Sequence, residues 1–224
     1  MRKLIIWGAG GHAKVVLDVA RAMGEFAEIV LLDDDVKKRG TLFCECPIAG
    51  DAEQLPFLAK RDYRLFVAAI GENRTRARCY QRAVAQGFTP VTLVHPAAVI
   101  SPSAGIGRGT VIMPRAVVNA NARVGENVIV NTAAVIEHDC VIGDHVHVSP
   151  GAIAAGGTRI GAYAQLGLSA VLLPGTEVGE GAMVGAGAVV LESVPPGVTA
   201  VGVPARILER AGKMAAYAEE AVDA

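Results

Sequence analysis

A six-residue repeat constrains this 224-residue chain more than any other feature of its sequence. From Ile100 onward the sequence divides into sixteen blocks of six, and fifteen of the sixteen first positions are Ile, Leu or Val. Every fifth position, from Ala104 to Val194, is a small residue, and seven of the second positions are glycine. A period of six fits neither an α-helix nor a simple β-strand. It indicates a chain that turns a corner every six residues, so that equivalent positions stack.

Such stacking predicts a parallel β-helix over residues 100–195. Three six-residue sides close one triangular coil, and the aliphatic first position of each block points into its bore. The small fifth position fits the tight corner, and glycine at the second position permits the turn backbone. Most repeat residues are therefore scaffold. Function must rest on the few polar side chains that interrupt the pattern.

The composition agrees with this fold and excludes several functional classes. The chain is 52% hydrophobic but only 4% aromatic, and its formal net charge is −1. These values exclude intrinsic disorder and nucleic-acid binding through bulk positive charge. No uncharged stretch reaches the ~20 apolar residues of a membrane helix, and the apolar run near the N-terminus stops too early for a signal peptide. We therefore expect a cytoplasmic protein without a membrane or nucleic-acid partner.

The cysteines predict neither a disulfide framework nor a metal site. The chain has four of them, with scattered spacing, which is typical of reduced thiols. Cys44 and Cys46 have the spacing of half a metal site, but no second Cys/His pair with ligand spacing accompanies them. We expect no bound metal.

The residues before the repeat alternate between strand-like and helix-like segments. Strands are predicted at residues 3–7, 29–32, 64–70 and 91–94, with helices at 12–23 and at 73–86, the second capped by Asn73. This alternation predicts a small α/β unit with a parallel sheet. We place this α/β domain at residues 1–96, the β-helix domain at 97–210 and a C-terminal tail without assigned function at 211–224.

A glycine-rich loop joins the first predicted strand to the first helix. Gly8, Gly10 and Ala13 have the spacing of a dinucleotide-binding fingerprint, and Asp33 follows about 20 residues beyond the loop. Alone, this motif suggests an NAD-dependent dehydrogenase. The α/β unit is short for that class, however, and only the repeat follows it. In either case the loop and helix start suit a diphosphate.

The repeat resembles the hexapeptide pattern of left-handed β-helix acyltransferases, and the hand of the helix comes from this resemblance alone. Residues 6–12 with 32–34, and residues 131–143, resemble the sugar-nucleotide N-acetyltransferases of bacillosamine and perosamine synthesis. The sialic acid O-acetyltransferases share that architecture, and residues 202–206 match the usual exit from such a helix. The resemblance implies acetyl-CoA as co-substrate, a nucleotide-linked 4-amino sugar as acceptor, and a homotrimer with active sites between subunits.

The same resemblance implies a catalytic pair. His138 corresponds to the family's general base, and a neutral imidazole suits removal of a proton from an attacking amine near neutral pH. Asp139 is the preferred partner that orients this imidazole, and Glu137 the less favoured one. Asn131 either contacts the acceptor amine or orients the base, and a buried asparagine ladder explains it equally well.

The remaining site residues are also assigned by resemblance. On the cofactor side, His147 is expected near the thioester carbonyl of acetyl-CoA, with Gly156, Gly167 and Ala186 along the pantetheine groove. On the acceptor side, the diphosphate-sugar is expected at Gly10, Gly11 and His12, and the nucleoside at Asp33 and Asp34. Contact with the CoA phosphates, or simple solvation, is expected for Arg206, Arg210 and Lys213. His145 receives no role.

The sequence thus predicts an acetyl-CoA-dependent N-acetyltransferase that acts on a nucleoside-diphosphate-linked 4-amino-4,6-dideoxy sugar. Two alternatives stay open at this point. One is an O-acetyltransferase of the sialic acid type on the same scaffold. The other is a non-catalytic protein that binds a nucleotide sugar or NAD.

Overall fold

The structure, a computed structural model, describes residues 2–208. The predicted tail, Arg210 and Lys213 lie outside the described residues. Among the described residues, the N-terminal unit contains six strands and three α-helices. The strands are β1 (Arg2–Trp7), β2 (Phe26–Leu32), β3 (Leu42–Phe43), β4 (Cys46–Gly50), β5 (Leu65–Ala68) and β6 (Thr89–Pro90), and the helices are α1 (Gly11–Met23), α2 (Leu55–Lys60) and α3 (Asn73–Ala85).

The sheet of this unit has the order β3-β4-β2-β1-β5-β6, and its pairs are parallel except for the β3–β4 hairpin. β1 lies at its centre, with alternate residues buried in two cores: Leu4 and Ile6 face α1, whereas Ile5 and Trp7 face the opposite layer. After β1 the chain forms β2 on one side of it, and it later forms β5 on the other side. The glycine loop after β1 therefore lies at a topological switch point, where α/β sheets bind ligands.

The remaining strands form the predicted β-helix, in three parallel sheets of two-residue rungs with a short closing hairpin at the end. The first sheet contains β7 (Leu93–Val94), β10 (Val111–Ile112), β13 (Ile129–Val130), β16 (His147–Val148), β19 (Gln165–Leu166), β22 (Met183–Val184), β24 (Thr199–Val201) and β25 (Arg206–Ile207). The second contains β8 (Val99–Ile100), β11 (Val117–Val118), β14 (Val135–Ile136), β17 (Ile153–Ala154), β20 (Val171–Leu172) and β23 (Val189–Val190). The third contains β9 (Gly105–Ile106), β12 (Arg123–Val124), β15 (Val141–Ile142), β18 (Arg159–Ile160) and β21 (Glu177–Val178).

Paired rungs lie one full coil apart in sequence, as three six-residue sides require. Val111 pairs with Ile129, for example, and Ile129 with His147. Both the first and the fifth block positions point inward, and together they form one continuous core of aliphatic and small side chains. The stacked coils thereby bury a core that no single coil could form.

The corners differ from the expectation in one physical detail. At the fourth block position, from Gly109 to Gly187, the backbone is left-handed, with φ between 54° and 71°. The second-position glycines have a different cause, since a Cβ on Gly143 would lie only 2.6 Å from the backbone nitrogen of Ala162 in the next coil. Glycine is needed at that position because adjacent coils approach each other closely, and not because of the turn conformation.

Two sequence predictions in the N-terminal half are wrong in detail. The predicted strand 91–94 does not close the α/β sheet, because Leu93–Val94 pairs with Val111–Ile112 of the next coil as the first rung of the β-helix. α3 is capped by Glu72, whose carboxylate accepts the backbone N–H groups of Arg74 and Thr75. Asn73 instead donates to backbone carbonyls of the β-helix.

The α/β unit packs against the outer face of the first sheet. Residues of α1 such as Val16 share a buried cluster with Leu93, Val111 and Met113 of the β-helix. This packing sets the glycine loop beside that sheet. Within residues 2–208, no helix is both long and apolar enough to span a bilayer.

Candidate active site

A histidine–aspartate pair occupies the corner between β14 and β15. His138 Nδ1 lies 2.9 Å from Asp139 Oδ2, and both side chains are more than half exposed. Asp139 holds the left-handed corner, with φ of 60°. Hydrogen bonds from His138 and Asn121 lower the pKa of Asp139 below its usual value. With Asp139 accepting the Nδ1 proton, Nε2 of a neutral His138 carries the lone pair that can take up another proton.

The two acids beside His138 have different partners. Asp139 accepts a second hydrogen bond, of 3.3 Å, from the Asn121 side chain one coil earlier. Glu137 instead accepts from the Asn119 side chain at 2.9 Å and from the backbone N–H of His138. Asp139 is therefore the acid that touches the imidazole, and Glu137 touches only the backbone next to it.

Gly156 lies directly beneath the His138 ring, one coil further along the chain. A Cβ at Gly156 would be 2.6 Å from both Cε1 and Nε2 of His138. The missing side chain therefore gives the imidazole its space. Gly167 and Ala186 also lie together, on adjacent coils, since a Cβ at Gly167 would be 2.5 Å from the Ala186 nitrogen.

A second polar cluster, formed by His12, Asn131 and His147, lies where α1 meets the first sheet. The Asn131 Nδ2 atom is 3.0 Å from His147 Nε2, and the Thr132 backbone N–H fixes the amide by donating to Asn131 Oδ1 at 2.8 Å. His147 Nε2 must then be the acceptor, so the neutral ring carries its proton on Nδ1. The His12 and His147 ring centroids are 6.2 Å apart.

Both imidazoles of this cluster are neutral near pH 7. Burial, followed by the positive charge of Arg76, lowers the pKa of His12 to about 4. Burial, Arg76 and His12 lower the pKa of His147 to about 3, and only the Gly71 carbonyl opposes that shift. Within residues 2–208, the buried His12 Nε2 and His147 Nδ1 lack a hydrogen-bond partner of good geometry. Buried polar atoms without a partner are uncommon, and His12 Nε2 is the clearer candidate for contact with a bound polar group because the Gly71 carbonyl already faces His147.

The glycine loop leaves its surroundings open. Gly10 and Gly11 have free space where a side chain would be, and no side chain caps the start of α1. Gly8 differs, because its φ is 121° and a Cβ would lie 2.7 Å from the Ala69 carbonyl oxygen. An uncapped helix start next to small residues is a suitable place for an anion.

The two acids assigned to the nucleoside have separate positions. Asp33 accepts the Ala9 N–H at 2.7 Å and the Asp35 N–H at 3.0 Å, and it pairs with Lys38 at 3.3 Å. Its carboxylate therefore holds the glycine loop in place. Asp34 lies next to Asp33 and is exposed to solvent.

The structure places the predicted site residues in two main clusters at different positions on the triangular β-helix. His138, Asp139 and Gly156 form the first, at the corner between the second and third sheets. The loop residues, His12, Asn131 and His147 form the second, at the first sheet. Among residues 2–208, no hydrogen bond or ring contact joins the two clusters.

Other polar residues serve the boundary between the units. His145 is buried between the Tyr80 and Tyr163 rings, and its Nδ1 lies 2.9 Å from Asn127 Nδ2. Sequence reasoning missed Arg76, which lies buried behind His12 and His147. It also missed Asn121, although its place one coil before Asp139 points to it. The described chain holds no group of three His, Cys, Asp or Glu side chains suited to a metal ion.

Comparison with known proteins gives consistent relatives. Residues 3–83 match the family described as the PglD N-terminal domain. A perosamine N-acetyltransferase from Caulobacter crescentus, solved as a histidine-to-asparagine variant with CoA and GDP-perosamine, is 38% identical over 94% of this chain and 98% of its own, with a TM-score of 0.89. The acetyltransferase domain of PglB from Neisseria gonorrhoeae FA1090, in complex with acetyl coenzyme A, is 44% identical over 92% of this chain and 99% of its own, with a TM-score of 0.87.

A curated relative is similar over a shorter region. UDP-N-acetylbacillosamine N-acetyltransferase from Bacillus subtilis (strain 168) is 38% identical over 112 residues. That match covers 49% of this chain and spans only half the length of the relative. The structural matches extend over both units, and they confirm the predicted fold class, a small α/β domain followed by a left-handed parallel β-helix.

The lowered pKa values of His12 and His147 predict acid-sensitive stability. As pH falls from 6.5 toward 4, these imidazoles take up protons in the unfolded state but not in the folded one, so the free energy of unfolding decreases. We expect His147→Gln and His12→Gln each to flatten this dependence between pH 6.5 and 5. Urea titrations at several pH values measure it. Wild-type slopes in the His12 and His147 variants would contradict the prediction.

Proposed function

This chain belongs to the sugar-nucleotide N-acetyltransferase family, and we propose that it transfers the acetyl group of acetyl-CoA to the 4-amino group of a nucleoside-diphosphate-linked 4-amino-4,6-dideoxy sugar. The observation that carries this proposal is the His138–Asp139 pair, in which the imidazole is more than half exposed at a corner of the β-helix. Its full-length relatives support it, because they include a perosamine N-acetyltransferase with CoA and GDP-perosamine bound.

The proposed mechanism assigns the proton transfer to His138. The sugar amine attacks the thioester carbonyl, a C–N bond forms and the C–S bond breaks, and the amine proton passes to His138 Nε2. Asp139 holds the ring by accepting its Nδ1 proton, which stabilises the imidazolium as it forms. The departing thiolate takes up the proton that Nε2 of His138 received, so CoA leaves as the free thiol and the imidazole is neutral again. Gly156 keeps the space that the imidazole needs.

The proposed acceptor site is the part of the second cluster formed by the glycine loop, His12 and Asn131. The start of α1, with Gly10 and Gly11, suits the diphosphate, and His12 extends the polar surface beside it. Asp34 is the exposed acid available to the nucleoside, while Asp33 acts indirectly by fixing the loop through Ala9. His147 and the groove residues Gly167 and Ala186 are assigned to acetyl-CoA.

We also propose that the active enzyme is a homotrimer with active sites between subunits. The outward positions of the second sheet form an aliphatic stripe, defined here as Val99, Val117, Val135, Ile153, Val171 and Val189. The equivalent positions of the third sheet include Arg123, Arg159 and Glu177. His138 lies at the corner just after Val135 of the stripe, whereas the acceptor cluster lies at the first sheet. Packing a second copy on the stripe can bring His138 to the acceptor cluster of its neighbour.

The central test compares three single variants in an assay of CoA release. The acceptors are UDP-, GDP- and dTDP-linked 4-amino-4,6-dideoxy sugars, and mass and NMR analysis of the product distinguishes N- from O-acetylation. His138→Ala should lower kcat about 10²- to 10⁴-fold, because the base is lost. Asp139→Asn should lower it about 10- to 100-fold, because the ring loses its anionic partner.

Glu137→Gln is the matched control, since it changes the other adjacent acid without touching the ring, and its kcat should stay close to wild type. Full activity of His138→Ala would refute the mechanism. An O-acetylated product would refute the amino-sugar assignment and favour the sialic acid type of reaction.

Gly156→Ala tests the fit beneath the base. The added methyl group would overlap the imidazole, and the ring would be displaced from its position beside Asp139 because its exposed side leaves it room to move. We expect kcat to fall about 100-fold with little change in melting temperature. In a His138→Ala background the same substitution should have no further effect on kcat. An equal loss in both backgrounds would mean that Gly156 acts without His138.

Complementation tests the site between subunits. His138→Ala and His12→Ala chains should each be inactive, but coexpression at equal levels should restore about a quarter of wild-type activity in mixed trimers. Each restored site would combine His138 of one chain with His12 of another. Light scattering checks the trimer. Trimers that mix but stay inactive would place the whole site within one subunit.

A further inference from the structure

Arg76 on α3 is the most deeply buried charged side chain among the described residues, with 1% of its surface exposed. Burial lowers the pKa of its guanidinium to about 10, so that the group stays protonated at neutral pH. A buried cation is costly unless it is paired or fully hydrogen-bonded. Arg76 makes no salt bridge with a carboxylate in the described chain, and Glu72 acts on it only at longer range.

Its hydrogen bonds go almost entirely to backbone oxygens, in one segment of the α/β unit and on two adjacent coils of the β-helix. Within the α/β unit, Nη1 donates to the carbonyls of Ile70 at 3.0 Å and Gly71 at 3.1 Å. In the β-helix, Nε donates to Asn127 at 3.1 Å, and Nη2 donates to His145 at 2.8 Å. A flat guanidinium can hold both units at once, because its donors point in fixed and different directions.

Two of the segments that accept hydrogen bonds from Arg76, Ile70–Gly71 and His145–Val146, adjoin the second cluster. The His145 and Val146 carbonyls, which Nη2 contacts at 2.8 and 3.3 Å, immediately precede His147. The Ile70–Gly71 segment follows Ala69, against whose carbonyl Gly8 of the glycine loop packs. Arg76 thus spans the gap between the β-helix strand that bears His147 and the loop that opens toward the proposed diphosphate.

We propose that Arg76 is a positioning residue for this reaction: it fixes His147 against the glycine loop and His12 when the nucleotide amino sugar binds. This inference rests on the proposed function for its substrate. Burial is the larger cause of the lowered pKa of both imidazoles, and the positive charge of Arg76 adds to it. The charged or titratable groups acting on the two imidazoles are Arg76 and, for His147, also His12. Neutral rings can form hydrogen bonds with the same donor and acceptor pattern throughout the neutral pH range.

The test uses Arg76→Lys, Arg76→Met and the control Arg78→Lys, which changes an exposed arginine on the same helix. Lysine keeps the charge but cannot hold the backbone of both units. Arg76→Lys should therefore raise KM for the nucleotide amino sugar roughly tenfold or more while kcat at saturation changes little. A merely structural role would lower the amount of folded enzyme and leave KM unchanged. A wild-type KM in folded Arg76→Lys would overturn the positioning role.

Histidine NMR titration tests the charge independently of activity. In the wild type and Arg78→Lys, the His12 and His147 signals should not titrate above pH 5, and Arg76→Lys should keep this behaviour. Arg76→Met should shift both titrations upward. Unchanged titrations in Arg76→Met would overturn the role of the charge. If Arg76→Met fails to fold, the lysine variant still decides through KM. If no nucleotide amino sugar is acetylated, the proposed function fails while the titrations still report on Arg76.

Discussion

The constant length of the coil determines which side chains meet in the β-helix. Each residue stacks on the residues one coil before and after it, so a polar group finds its partner at a fixed sequence distance. Asn121 supports Asp139, Asn119 holds Glu137, and Gly156 leaves room for His138, each at this spacing. The left-handed fourth position sets Asp139 at the corner beside the imidazole. The His138–Asp139 pair thus depends on the same stacking that buries the aliphatic core.

Different interactions stabilise the boundary between the two units. There a buried cation, Arg76, binds backbone carbonyls of both units, while α1 packs its apolar face on the first sheet. Burial in this boundary lowers the pKa of His12 and His147, so both rings stay neutral. His138, the proposed base, remains exposed on another corner. This separation is the reason for our proposal that the two half-sites meet when subunits assemble.

Much of this arrangement could be predicted from the sequence. The hexapeptide period predicted the coil, and resemblance supplied its hand and a family that the comparisons confirm. Asn121 was also within reach, since counting one coil back from Asp139 leads to it. The sequence favours the α/β sheet for Leu93–Val94 because the clear repeat begins at Ile100, although the first rung of the β-helix lies one block earlier. The role of Asn73 does not follow from the sequence, because an asparagine that caps a helix and one that donates to a distant backbone carbonyl have the same local pattern.

The sequence by itself determined the fold and the candidate base, because a strict period allows one way of stacking and the polar exceptions to it are few. Only the tertiary structure decided that Asp139, and not Glu137, touches the His138 ring. It also decided that Asp33 holds the loop, and that Arg76 lies behind His12 and His147. These relations depend on side-chain direction and on contacts between residues that lie far apart in sequence. No local pattern records such contacts, because they exist only once the two units have packed together.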